Sequence, residues 1–224
     1  MKNFQIAIDG PAGAGKSTIA QEVAKRLGYI YIDTGAMYRA MGLFFDQNES
    51  WPKGPGEIEA LVEKAEISIK AGKDGQGFFL NGENVSKAIR TEKAGMSASS
   101  VSKLPQVRKK MVELQQKMAE SMNVVMDGRD IGTVVLPNAQ LKIFLTAEVC
   151  VRAKRRMLQL KEKGIEGNLQ EIEEDIKARD HQDMTREHSP LKQAEDAVLL
   201  DTSYMTIEEA VGKIMELQKE KAEK

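Results

Sequence analysis

Eight residues, Gly10-Pro11-Ala12-Gly13-Ala14-Gly15-Lys16-Ser17, fit the pattern G-x-x-x-x-G-K-[ST], and their neighbours restrict what such a stretch can be. Phe4 to Asp9 reads as a short buried strand. Downstream, Ile19, Val23 and Leu27 recur every four residues with Ala20 and Ala24 beside them, as on one helix face. Strand, glycine loop and helix together form the context in which this pattern is a phosphate site rather than a glycine-rich turn that binds nothing. The glycines let the backbone curl so that its N–H groups point inward at phosphate oxygens. The helix adds its unpaired N-terminal donors and the positive end of its dipole. Lys16 can reach the β- and γ-phosphates, and the Ser17 hydroxyl can coordinate Mg²⁺, with Thr18 next in line. The expectation is a nucleoside triphosphate site.

Composition narrows the partners. The 224 residues suffice for one α/β domain with an inserted subdomain, and the formal net charge of −1 argues against binding nucleic acid by bulk electrostatics. Anion sites must therefore be made by individually placed arginines and lysines. The single cysteine, Cys150, has no partner for an internal disulfide and follows a strand, so it reads as a small core residue. The 12 methionines read as core filler. No apolar run approaches the roughly 18–20 residues that cross a bilayer. The chain enters a strand within a few residues of Met1, leaving no signal peptide, and a cytoplasmic protein is expected. No heptad run demands a partner helix, so a monomer is expected.

Strands are expected at 4–9, Tyr29–Asp33, Val124–Asp127, Leu141–Leu145 and Val198–Asp201, alternating with helices. The helices are expected at about 17–27, ended by Gly28, then 36–46, 148–163, 169–183 and a last one capped by Thr206 with Glu209. The last residues, 220–224, are expected to fray. A loop is expected over 49–56. Between Ile67 and Val85 the pattern changes to alternation, with a turn at 72–77 and an Asn81-Gly82 hairpin signal. Residues 91–121 are expected to be helical, with a break near Pro105. The whole is an α/β fold: a parallel sheet with helices on both faces, a small antiparallel sheet inserted, and a helical lid. In residue terms the core covers about 1–35, 122–150 and 190–224, the insertion 36–121 and the lid 151–189.

Ligands of such sheets bind beyond the C-terminal strand ends. The glycine loop, Asp33, Asp127-Gly128-Arg129-Asp130 and Thr146 fall at that edge. Neither the N-K-x-D of a guanine-nucleotide switch nor an L-S-G-G-Q-like signature occurs. A small-molecule kinase instead needs arginines aimed at a second phosphate and a lid that excludes water. Arg39 and Arg129 follow strand ends. Residues 151–163 carry six cations and one anion, ordinarily a solvated helix face. Followed by the Gly164–Gly167 interruption and a second charged helix, the run reads as a lid.

These residues together resemble the bacterial cytidylate kinases, within the nucleoside monophosphate kinases. The likeness is carried by Ile8-Asp9-Gly10-Pro11 through Ser17-Thr18, Asp33-Thr34-Gly35-Ala36-Met37-Tyr38-Arg39, Ile89-Arg90-Thr91 and Asp127-Gly128-Arg129-Asp130-Ile131-Gly132-Thr133-Val134-Val135. Further along it is carried by Lys142 to Leu145, Arg155 to Leu160 and Arg179 to Arg186. What the resemblance implies is a P-loop kinase core, with phosphoryl transfer from MgATP to CMP or dCMP. It implies that Arg39, Arg129 and Arg186 grip the acceptor phosphate, and that Thr34, Ser99, Arg108 and Asp130 read the cytosine. Arg179 and Asp183 are implied as ribose contacts, Tyr38 as lining the acceptor site, and Arg155 and Arg156 as lid cations toward ATP. Lys16 and the three phosphate-gripping arginines would carry the catalysis.

The preference for cytosine has a physical reading of its own. Cytosine donates at N4 and accepts at N3 and O2, whereas uracil reverses the first two. A carboxylate such as Asp130 facing N4 would oppose an acceptor if uracil entered, and an unpaired buried polar group costs about 1–3 kcal/mol. Asp127 is expected either to hold a water of the Mg²⁺ shell or to orient Arg129. Two rivals share some of these features. A P-loop kinase for another small acceptor would lack the cytosine-reading set, and a binding module without catalysis would form no ADP when CMP is added.

Overall fold

A computed structural model describes residues 3–48, 51, 54–72, 75–162 and 164–223. It divides into two compact units, 1–32 with 118–224, and 33–117. The first is built on parallel strands β1 (Gln5–Asp9), β2 (Ile30–Asp33), β6 (Val124–Gly128), β7 (Leu141–Thr146) and β8 (Val198–Asp201), in the order β2-β6-β1-β7-β8. β1 lies at the centre, with Ile8 opposite both Asp127 and Ile143. That register sets the end of β1 beside the end of β6, so Asp9 is level with Gly128.

Helix α1 (Lys16–Leu27) and the C-terminal α8 (Ile207–Ala222) pack against one face of this sheet. Ile6, Ile8, Ile19, Val23, Val125, Ile143, Val211 and Ile214 meet there, all buried. Each such aliphatic side chain contributes roughly 1.5–3 kcal/mol on burial. Gly28 ends α1 in the left-handed conformation at φ 67°, and Thr206 opens α8 with a full capping box to Glu209. Because side chains alternate along a strand, Ala7 and Asp9 point away from this core. Asp9 there meets a single π-helical turn, Ile131–Val135, in which Val135 N donates to Asp130 O at 3.2 Å. Helices α6 (Val149–Glu162) and α7 (Leu169–Thr185) pair through Ala153, Ile172 and Ile176.

The second unit holds the antiparallel sheet β3 (Ile67–Gly72), β4 (Gly75–Leu80) and β5 (Glu83–Asn84). Around it lie α2 (Thr34–Asp46), α3 (Pro55–Glu63), α4 (Glu92–Val101) and most of α5 (Pro105–Ala119). At Gly42 of α2 the two helices lie close: a Cβ on it would lie 2.8 Å from the backbone of Ser97 and Ala98 on α4. No helix among the described residues is long and apolar enough to cross a membrane.

The sequence expectations need correction at several points. Helix α3 was not expected, because Pro55-Gly56 reads as a breaker; proline is in fact well suited to a first helical turn, where its missing N–H is no loss. α2 starts at Thr34 rather than 36, since the Asp33 carboxylate accepts from Ala36 N and caps it. The turn at 72–77 is shorter, with the ladder running on to Gly72 opposite Gly75. Its residues 73 and 74, like 49, 50, 52 and 53 of the loop at 49–56, lie outside the described residues. So do Lys163 and Lys224. α8 stays helical to Ala222 instead of fraying from 220. Cys150 is half-buried in the first turn of α6 rather than in the core. Met37, Met41, Met111 and Met126 are core residues, but Met96, Met122 and Met184 are exposed.

Candidate active site

In the first unit the glycine loop joins β1 to α1, as the sequence pattern requires. Gly10 has φ 148°, and a Cβ there would collide with the carbonyl oxygen of Leu145 on β7, so no other residue lets β1 turn into the loop at this point. Lys16 is buried, and its Nζ donates to Pro11 O at 2.6 Å, across the loop. Burial pushes the Lys16 ammonium down from 10.5 to about 7; Arg129 adds to that by repulsion, and Asp127, Asp9 and Asp183 oppose it. A polyphosphate in the loop would supply negative charge that favours the ammonium form.

Ser17 Oγ donates to Asp127 Oδ2 at 2.8 Å, and Tyr31 OH donates to Asp127 Oδ1 at 2.8 Å. A hydroxyl and a buried carboxylate, both oxygen donors held side by side, suit a hard divalent cation such as Mg²⁺. Among the described residues no group of three or more His, Cys, Asp or Glu side chains could hold a metal. An ion at this pair would need further oxygen ligands from elsewhere, and phosphate oxygens are the ones Mg²⁺ commonly takes.

The residues after Asp127 build a second charged cluster. Arg129 Nε donates to Asp183 Oδ2 at 2.7 Å. Arg186 lies 3.6 Å from Asp130 Oδ1 and 4.0 Å from Asp183 Oδ1, and its Nε donates to Ser189 O at 2.6 Å. Asp130 and Asp183 are themselves buried. These four residues, named from the resemblance as acceptor contacts, come together in the first unit. Asp9, which sequence reasoning placed only inside a motif, anchors the same segment: its carboxylate accepts from Ile131 N at 2.8 Å and Gly132 N at 2.7 Å. Burial raises the Asp9 carboxyl from 3.8 to about 6, with Asp130 adding, against the pull of the two amides and of Lys16.

The cationic run of α6 is not simply a solvated face. Arg152 is buried and paired with Asp180 of α7. Arg155 donates to Thr202 O at 2.6 Å and to Thr202 Oγ1 at 3.3 Å, fixing α6 to the turn after β8. Arg156 is half-buried, while Arg179, Ser17 and Thr18 are exposed.

In the second unit, Arg39 NH2 donates to Asp33 Oδ2 at 3.0 Å, and Arg90 lies 3.6 Å from the same oxygen. Asp33 thus both caps α2 and aims Arg39. Thr34 is buried at the first turn of α2, and Ser99 is half-buried on α4. Arg108 is buried with its guanidinium carbon 5.8 Å from the Tyr38 ring centroid, and it donates to Ser102 O at 3.5 Å. This places two of the named acceptor residues, Tyr38 and Arg108, side by side.

The family described as cytidylate kinase matches residues 6–220. The chain belongs to the cytidylate kinase family. It is 51% identical over 217 residues to the cytidylate kinase of Caldicellulosiruptor bescii, covering 97% of this chain and 96% of that one. It is 53% identical over 218 residues to the cytidylate kinase of Lactobacillus gasseri, covering 97% and 95%. Among solved structures, an uncharacterized protein from Eubacterium ventriosum ATCC 27560 has a similar fold, with a TM-score of 0.53 at 11% identity over 97% of this chain and 99% of that one. That likeness speaks for the fold alone. In this kinase Asp9, Arg152 and Asp180 are residues to which sequence reasoning gives no role. Their one advance signal was polarity out of place: an acid ending a buried strand, and acids at 180 and 183 spaced for one face of a helix.

Proposed function

We propose that this kinase transfers the γ-phosphoryl group of MgATP to CMP and dCMP by in-line displacement, using the residues described above in the roles their chemistry suits. One observation supports this reading most. Asp127, Gly128, Arg129 and Asp130 are consecutive; the first holds the Ser17 hydroxyl of the phosphate loop, and the last two stand in the Asp183–Arg186 cluster. A single strand end therefore serves a donor polyphosphate at one residue and an acceptor phosphate two residues on.

The chemistry needs no covalent enzyme intermediate. An oxygen of the CMP phosphate attacks the γ-phosphorus, the bond from that phosphorus to the β,γ-bridging oxygen breaks, and ADP leaves. The second ionisation of a phosphate monoester falls near pH 6, so at neutral pH the nucleophile is already a dianion and no general base is required. Catalysis is then positioning and charge neutralisation. Lys16 and the loop amides from Gly13 to Thr18 take the donor phosphates, with Arg155 and Arg156 as further cations. Arg39, Arg129 and Arg186 hold the acceptor phosphate. Thr34, Ser99, Arg108 and Asp130 read the base, Arg179 and Asp183 meet the ribose, and Tyr38 lines the acceptor site. Ser17 and Asp127 are the residues that would hold Mg²⁺, which when bound offsets the negative charge of the triphosphate.

The chain acts as a monomer on this reading, and a light-scattering mass of two chains would contradict that. The test of substrate is a coupled ADP assay with CMP, dCMP, UMP and AMP as acceptors. Turnover highest with CMP and dCMP is expected; equal turnover with AMP would refute the assignment.

A further inference from the structure

The phosphate loop carries three glycines in eight residues, and a chain this free loses much entropy when it is ordered around a ligand. A loop ready to receive phosphates must be held by something outside itself. In the first unit both backbone groups of Ala12, in the middle of the loop, are held. Arg152 NH1 donates to Ala12 O at 2.9 Å, and Ala12 N donates to Asp180 Oδ1 at 3.3 Å. The two side chains are joined to each other, Arg152 NH1 to Asp180 Oδ2 at 2.7 Å, and Arg152 Nε also donates to Ala147 O at 2.8 Å. Arg152 is 4% exposed and Asp180 8%, so solvent screens this pair little.

We propose that Arg152 and Asp180 are positioning residues for the donor nucleotide: a buried ion pair that grips Ala12 by its N–H and its C=O and so preforms the phosphate loop. Neither group touches substrate on this account. With the Ala12 peptide groups fixed from outside, the remaining loop amides face inward before ATP arrives, and binding does not have to order them. Pairing also matters for charge. An unpaired Asp180 beside the loop would repel a polyphosphate, and Arg152 removes that repulsion. The pair ties the first turn of α6 and the last third of α7 to the loop, so the bases of both lid helices move with the donor site. This inference rests on the reading of the loop as the ATP site.

The test compares the full-length wild type with Arg152→Lys and with the double variant Arg152→Met/Asp180→Leu. Each is measured for the Kd of ATP and of CMP by titration calorimetry, and for thermal stability. Wild-type binding of ATP is established first; if it failed, the reading of the site would fall, whatever the variants do. Arg152→Lys keeps the charge opposite Asp180 but not the forked reach to Ala12 O and Ala147 O, and is expected to weaken ATP binding about tenfold, the worth of one charge-assisted hydrogen bond. CMP binding is expected to stay within twofold. The double variant removes both charges together, which leaves no buried ion without its partner and commonly preserves stability. It is expected to melt near the wild type and still bind ATP at least tenfold more weakly. Wild-type ATP affinity in the double variant, or equal losses for ATP and CMP in either variant, would overturn the proposal and leave the pair as a structural strut.

Discussion

Asp9 offers a stability experiment whose sign runs against the ordinary behaviour of a carboxylate. In Asp9→Ala two buried amides, Ile131 N and Gly132 N, lose their acceptor, and each such loss costs about 1–3 kcal/mol. The wild-type carboxyl is raised from 3.8 to about 6, chiefly by burial, so its ionised form is the disfavoured one in the folded chain. Folding stability from this group is therefore complete below the unfolded value of 3.8 and is lost as the pH rises through 6. The full loss is about 3 kcal/mol, of which about 1.4 kcal/mol falls between pH 5 and pH 7.5. Alanine does not titrate. The destabilisation measured for Asp9→Ala relative to wild type should thus be larger at pH 5 than at pH 7.5, by about 1.4 kcal/mol. Removing Asp9 also lowers Lys16 further, which penalises the variant more at the acid end and acts in the same direction. Urea unfolding of both proteins at the two pH values measures the difference, and the subtraction cancels titrations that Asp9 does not influence. A gap that is independent of pH, or wider at pH 7.5, would refute the claim that burial outweighs the two amide hydrogen bonds.

Other consequences are simpler to read. Lys16→Ala should lower kcat by about 10²–10³, the usual effect of removing one donor from developing charge, and near-normal turnover would contradict its role. Asp130→Ala should reduce the ratio of kcat/KM for CMP over UMP by about 5- to 150-fold, the equivalent of 1–3 kcal/mol, and an unchanged ratio would remove Asp130 as the base reader. Gly42→Ala should destabilise the second unit by about 1–3 kcal/mol, since the new methyl meets the α4 backbone at 2.8 Å; an unchanged melting temperature would show that α2 and α4 can part at no cost.

Much of this architecture was readable because local chemistry and tertiary need agree. Strand, loop and helix at residues 5–27 each carry their own signal, and Gly28, Thr206 and Glu209 announce their helix ends in the sequence. α3 was hidden because Pro55-Gly56 looks the same whether a chain is stopping or starting a helix. Cys150 misled because nearness to a strand says nothing of which way the next turn faces. The named arginines and acids were visible as residue types, but which acid pairs with which arginine was not. Asp33 precedes Arg39 by six residues, within one helix start, whereas Asp183 stands 54 residues from Arg129. Pairings of that second kind depend on the strand order and on the packing of α6 against α7, which no local pattern encodes.

α7 shows how far such packing can reverse the ordinary meaning of polarity. Its sequence is that of a solvated helix, and a buried acid on a helix is normally a liability unless it is paired. Here Asp180 and Asp183 are both buried and both paired, the first with Arg152 behind the phosphate loop, the second with Arg129 beyond β6. Three residues apart, they lie on one face of a single helix, and Arg186, in extended backbone just past its end, lies 3.6 Å from Asp130 Oδ1. Asp180 and Asp183 thus sit within one turn of each other on a rigid element, one at the loop proposed for the donor and the other at an arginine proposed for the acceptor. A shift of α7 by a fraction of a turn would disturb both ion pairs together. Fixing α7 by either pair therefore helps to fix the other, and this gives two buried acids on a charged helix a structural reason.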